Sequence, residues 1–216
     1  MGNIVLHGYF RSSTSFRARM ALNLKGVHYD QVTLHLRKGE QKSADYLAVN
    51  PQGLVPSLVW SDGTVITQSM AIMEFLDEMI PEPPLMPADP AGRARVRSIL
   101  QMIGCDIHPV NNLRVLKAIQ DRFGADENAV RDWFAHWVQE TFRPLEQMLA
   151  DSPQTGRFVQ GDQVTLADLA LVSQVVNNRR FEVPMAPYPT LQAIYERTIE
   201  LPAVQQALPA NQPDAE

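Results

Sequence analysis

Two hydrophobic periods alternate over the first eighty residues. Ile4 to Tyr9 has strand character, and Phe16, Met20 and Leu24, spaced by four, then draw an apolar stripe along a helix that ends at Gly26. Tyr29 to Leu34 reads as a second strand, and the polar, Lys-containing stretch from there to Asn50 has no clear period. Leu54 to Trp60 and Thr64 to Ile66 read as two strands joined by a hairpin turn at Asp62-Gly63. Ile72, Phe75, Leu76 and Met79 share one face of the next helix. The order β-α-β-(α)-β-β-α predicts a small mixed sheet with flanking helices.

Pro81, Pro83, Pro84, Pro87 and Pro90 then end any helix and mark a linker. The boundary is placed there, giving an α/β domain over residues 1–82 and a second domain over 83–216. No strand period follows. Val96, Ile99, Leu100, Ile103 and Ile107 form a helical stripe up to Pro109, Trp133, Phe134, Trp137 and Val138 mark another helix, and Leu166 to Val176 a third. The expected architecture is therefore α/β plus all-α, with a frayed tail from about Pro209.

Composition narrows the function. A length of 216 residues allows one large domain or two small ones, and a hydrophobic share of 45% with 20% charged residues fits a folded chain. The formal net charge of −5 gives no global positive field for nucleic acid or an acidic membrane, so any anion site must be local. The single Cys105 excludes an intrachain disulfide and Cys-rich zinc sites, and it reads as a small buried residue. No apolar run reaches the roughly 18 residues of a membrane span, which makes the cytoplasm the expected location.

The hydroxyl run Ser12-Ser13-Thr14-Ser15 falls between the first strand and the first helix, at the positive end of a helix dipole. An N-cap needs only one of these hydroxyls. Arg11 and Arg17 flank the helix start, where cations are disfavoured unless an anion is held there. Val55-Pro56 precedes a strand, so Pro56 requires an edge, a strand start or a cis peptide. Gln68-Ser69 opens the third helix, where Ser69 either caps or meets a carboxylate. Thr165-Leu166-Ala167-Asp168 fits a capping box with Asp in place of Glu and is assigned to folding.

These pieces in this order resemble the glutathione transferases, and Arg11-Ser12-Ser13-Thr14-Ser15-Phe16-Arg17 is similar to the zeta-class signature Ser-Ser-Cys-Ser-x-Arg, with Thr14 in place of its Cys. Asn50-Pro51-Gln52-Gly53-Leu54-Val55-Pro56 and Cys105 to Arg114 extend the resemblance, the latter toward bacterial maleylacetoacetate and maleylpyruvate isomerases. It implies a thioredoxin-like first domain, an all-helical second domain, a homodimer and glutathione as cofactor. It further implies catalytic roles for Ser12, Ser13, Thr14 and Arg17. Glutathione contacts fall on Ser15, Gln41, Val55, Pro56, Gln68, Ser69, His108, Asn112 and Arg114, and substrate carboxylates on Arg11, Arg114 and Arg179 or Arg180. The expected reaction is the glutathione-dependent cis–trans isomerisation of maleylacetoacetate to fumarylacetoacetate in aromatic amino-acid catabolism, with no metal. Maleylpyruvate isomerisation, general conjugation of electrophiles and a non-catalytic binding role are the rivals. Isomerisation needs a thiolate that adds reversibly to the C=C bond, donors that lower the thiol's pKa, and cations that hold the charge developing on the substrate.

Overall fold

A computed structural model describes residues 2–216. It divides into two compact units, one formed by residues up to Pro84 together with Glu200–Glu216, the other by Leu85–Ile199. The division after Pro84 lies two residues beyond the expected boundary. The return of residues 200–216 to the first unit differs from the sequence expectation, which left them with the helices.

In the first unit, β1 (Val5–Gly8), β2 (Asp30–Thr33), β3 (Ser57–Val59) and β4 (Val65–Thr67) form one sheet in the order β2-β1-β3-β4. β1 pairs parallel with β2 and antiparallel with β3, and β3 pairs antiparallel with β4. The parallel pair requires a crossover, which α1 (Ser13–Leu24) supplies. The antiparallel pair β3–β4 is closed by the predicted turn, where Gly63 takes a left-handed φ of 89° and Asp62 accepts from the Thr64 N–H at 2.8 Å. Between β2 and β3 the aperiodic stretch resolves into two short 3₁₀ turns and α2 (Ala44–Val49), and α3 (Ser69–Met79) follows β4.

Every residue of α1 from Ser15 to Leu22 is buried, well beyond the single stripe the spacing of four implies. Two elements account for this: α3 packs on α1, and so does α9 (Pro202–Ala207), delivered by the returning C-terminal segment. The expected frayed tail is instead held by named bonds. Residues Pro209–Asn211 form a 3₁₀ turn, and the buried Gln212 donates to the carbonyls of Leu208 at 2.8 Å and Gln206 at 2.9 Å.

The second unit is helical: α4 (Pro90–Gln101), a π-helical stretch Met102–Ile107, α5 (Leu113–Phe123), α6 (Glu127–Ala150), α7 (Leu166–Arg180) and α8 (Pro189–Ile199). α7 is the most deeply buried, with every residue from Leu166 to Val175 inside. Its first turn is fixed by Asp168, whose carboxylate accepts from the Val159 N–H at 2.8 Å and from the Thr165 N–H and hydroxyl at 2.7 Å each. The stripe Val96, Ile99, Leu100, Ile103, Ile107 is buried as read. Cys105 is exposed, contrary to the sequence reading, because Ile103, Gly104 and Ile107 take the inward positions of the π-helical turn. No helix among the described residues is long and apolar enough to cross a membrane.

Candidate active site

The hydroxyl run forms the N-terminus of α1. Ser12 is the N-cap, its Oγ accepting from the Ser15 N–H at 3.1 Å, while its own N–H donates to the Tyr9 carbonyl at 3.0 Å. Thr14 donates its hydroxyl to the Val55 carbonyl at 3.0 Å and lies 2.8 Å from Ser12 Oγ. With Thr14's one proton given to Val55, the Ser12 hydroxyl is the donor across that 2.8 Å contact. A relay Ser12→Thr14→Val55 therefore joins the helix start to the turn before β3. Ser13 is half-buried beside it, and Ser15 is buried with its Oγ accepting from the Tyr9 N–H at 3.4 Å.

The Val55 turn is itself clamped. The Val55-Pro56 peptide is cis, Pro56 is buried, and Ser57 begins β3 directly after it. One residue earlier, the Leu54 carbonyl accepts from the Tyr46 hydroxyl at 2.5 Å and from Asn50 Nδ2 at 2.8 Å. Ser57 Oγ lies 2.8 Å from the same Tyr46 oxygen, and burial raises the Tyr46 pKa, which keeps its proton in place. The backbone of Val55 is thus presented by α2 and the Asn50 turn.

α3 opens differently from α1. Gln68 stands at its N-cap with φ 70° and makes no side-chain capping bond; its amide donates to Gln52 Oε1 at 2.9 Å instead. A positive φ at a residue other than glycine is a conformation that costs roughly 1–3 kcal/mol and clusters at ligand sites. Ser69 is buried in the first turn that follows. Gln41 Oε1 is buried without a hydrogen-bond partner. Gly53, with φ 60°, could not carry a side chain, since a Cβ would sit 2.8 Å from the Gln41 carbonyl and 2.6 Å from Lys42 Nζ. Gln52 and Lys42, joined by a 3.1 Å bond from Lys42 Nζ to the Gln52 carbonyl, enter this cluster without having been singled out in the sequence. The Asn-Pro-Gln-Gly turn was the available signal for Gln52, and Lys42 had none.

Of the flanking cations, Arg11 is half-buried, lies over the Phe10 ring at 4.9 Å and pairs with no carboxylate among the described residues. Arg17, expected among the catalytic groups, is only 1% exposed, because α1 is covered around most of its circumference. That burial makes it an internal residue of the helix. Arg19, which the sequence reading passed over, is equally buried.

The second unit holds its candidates in two places. His108 follows the π-helical stretch, its Nε2 lies 3.4 Å from Asn112 Nδ2, and Asn112 caps α5 by accepting from the Arg114 N–H at 3.2 Å. Arg114 is exposed. Arg179 and Arg180 are exposed at the end of α7, over the rings of Tyr195 at 4.6 Å and Phe181 at 5.1 Å. Their placement there matches the cationic helix end that complements a dipole.

The first unit thus holds the hydroxyl run at the head of α1, the Val55 turn and the uncapped start of α3. A family model described as glutathione S-transferase, N-terminal domain, matches residues 11–79, and one described as glutathione S-transferase, C-terminal domain, matches residues 115–209. A maleylpyruvate isomerase from Ralstonia sp. is 47% identical over 210 residues, covering 97% of this chain and 99% of that protein. A solved holo structure of a maleylpyruvate isomerase described as a bacterial glutathione S-transferase in the zeta class superposes with a TM-score of 0.95 at 46% identity, over 98% of this chain and 100% of that one. This chain belongs to the zeta class of the glutathione S-transferase family. The same TM-score, at 40% identity over 98% of this transferase and 99% of the other chain, relates it to a maleylacetoacetate isomerase from Methylobacterium extorquens AM1 solved with malonate and glutathione bound.

Proposed function

We propose that this zeta-class transferase is a glutathione-dependent cis–trans isomerase of maleyl-substituted oxo diacids. The observation that carries the reading is the start of α1, where hydroxyls and a helix dipole converge beside a clamped turn and an unpaired arginine. The donor set suits a tripeptide with one thiol and two carboxylates. Ser12 and Ser13 offer hydroxyls to sulfur, and the Val55 backbone suits the peptide core. Gln68, Ser69 and the α3 first turn, lacking a side-chain cap, suit a carboxylate, and the orphaned Gln41 oxygen suits an N–H donor. When bound, glutathione supplies the thiolate whose reversible addition makes the maleyl double bond rotatable.

The protein's own residues do the rest. The α1 dipole and the Ser12 and Ser13 hydroxyls lower the thiol's pKa. Arg11 holds a substrate carboxylate and stabilises the negative charge that grows there during addition. In the second unit, His108, Asn112 and Arg114 form the group that the family resemblance assigns to glutathione, and Arg114 is also a candidate for substrate. Arg179 and Arg180 are the remaining cations offered to a diacid.

Maleylacetoacetate, the substrate expected from the sequence, and maleylpyruvate share the maleyl group and differ in the remainder of the oxo acid; a relative named for maleylpyruvate is 47% identical and relatives named for maleylacetoacetate are 41–44% identical. Initial rates with each diacid, with and without glutathione, test the reading. Turnover of at least one diacid that vanishes without glutathione is expected. Turnover that is indifferent to glutathione, or none with either diacid, would overturn it. The same reading includes a cytoplasmic homodimer.

A further inference from the structure

Arg19 carries its charge where water does not reach. It is 1% exposed, and although burial lowers its pKa to about 10, the guanidinium keeps its proton at neutral pH. Among the described residues no carboxylate lies within ion-pair distance of it. Each of its three nitrogens donates to a backbone carbonyl: Nη2 to Phe10 at 3.1 Å, Nη1 to Tyr9 at 3.4 Å and Nε to Ala207 at 3.0 Å. An apolar side chain of similar volume would fill this position without desolvating a cation. What the guanidinium adds is the fixed placement of those three carbonyls.

Two of them belong to the segment between β1 and the hydroxyl run. The Tyr9 carbonyl that Arg19 grips is the acceptor of the Ser12 N–H at 3.0 Å. On the other side of the same segment, the Phe10 N–H donates to Asp214 Oδ2 at 3.0 Å. Asp214 is also the carboxylate whose negative charge favours the protonated form of Arg19. The tail that carries Asp214 is anchored through Gln212, which is buried and accepts from Gln31 Nε2 at 3.2 Å. The third carbonyl, Ala207, ends α9, so Arg19 ties the returning segment and the β1–α1 connection to one guanidinium.

We propose that Arg19 and Asp214 are positioning residues of the thiol site, fixing the Tyr9–Phe10 backbone from its two sides and, through the Tyr9 carbonyl, the Ser12 amide and hydroxyl at the head of α1. The inference rests on the reading of that helix start as the thiolate site. It makes the C-terminal segment a working part of the first unit. Neither residue touches the reacting atoms.

Amide hydrogen exchange and steady-state kinetics on Asp214→Ala, Arg19→Met and Arg19→Lys test it. In Asp214→Ala the Ser12 amide, whose own acceptor is untouched, is expected to exchange at least tenfold faster, with kcat down about tenfold and KM for the diacid within twofold. Arg19→Met should do both more strongly, by up to roughly a hundredfold in kcat, the scale of a misplaced catalytic group. Arg19→Lys should recover part of the loss, since an ammonium still offers three donors. If Arg19→Met does not fold, Asp214→Ala decides. Ser12 exchange and kcat both near wild type in Asp214→Ala would overturn the proposal, as would a change in either one without the other. If the wild type turns over neither diacid, the proposed function falls, and the Ser12 exchange rate alone decides the clamp.

Discussion

At Ser12 one hydroxyl has two duties. It caps α1 by accepting from Ser15, and it gives its proton to Thr14, which passes its own to Val55. Donation to a thiolate therefore requires Ser12 to turn from Thr14 while keeping its cap. Ser12→Ala removes both the cap, about 1 kcal/mol of stability, and a hydrogen bond to a charged group, roughly 1.5–3 kcal/mol. A tenfold to hundredfold fall in kcat/KM is expected, against wild-type rates for Cys105→Ala, whose thiol is exposed and has no partner in the site. Equal losses in parallel assays of the two variants would mean that Cys105 participates. Thr14→Val separates positioning from chemistry. It keeps the shape, breaks the bond to Val55, and should raise the KM for glutathione about two- to tenfold, the worth of one neutral hydrogen bond, with kcat nearly unchanged. A hundredfold drop in kcat would instead assign the Thr14 hydroxyl to the sulfur. The hydroxyl run was legible in the sequence because four consecutive hydroxyls between arginines exceed what a cap needs. The direction of the relay was not, because it depends on which carbonyl comes within 3.0 Å of Thr14.

At the scale of elements, strands and helices that bury one face were readable from their period, and those buried on several sides were read only in part. α1 showed a stripe of three residues, yet Arg17 and Arg19 are inside, since α9 covers a side that only the far end of the chain can supply. α7 was legible through its capping box. Burial raises the Asp168 pKa to about 6, against the opposing pull of the N–H and hydroxyl donors around it. In the folded state this carboxyl holds its proton up to about pH 6, whereas in the unfolded chain it releases it near the ordinary aspartate value of 3.8. Between these values the folded state binds more protons, so this group's contribution to stability declines as pH rises from about 4 to 6 and is level above. The total change is on the order of 3 kcal/mol. Thermal unfolding followed across that range should show this slope in wild type and its absence in Asp168→Asn. An identical pH profile in both would contradict the assignment.

Over the whole molecule, a net charge of −5 opposes the approach of a diacid, so capture falls to a few cations held in place. The proposed function gives that part to Arg11 in the first unit, and Arg11→Ala should then raise the KM for the diacid tenfold to a hundredfold while leaving glutathione binding within a few-fold. Titrations with glutathione and with an unreactive dicarboxylate would show it, and wild-type affinity for the dicarboxylate would place the anion site elsewhere. The division into an α/β part and a helical part was written in the proline cluster and the loss of strand period. The return of residues 200–216 to the first unit was not, because no local period records which unit a terminal segment packs on. On the proposed function, the head of α1 turns bound glutathione into a thiolate. The most direct measurement is the ultraviolet thiolate absorbance of glutathione bound to the protein, titrated against pH in wild type and Ser12→Ala. The bound thiol is expected to ionise at lower pH than free glutathione, with that shift lost or much reduced in Ser12→Ala; a bound thiol that titrates like the free tripeptide in wild type would refute the activation.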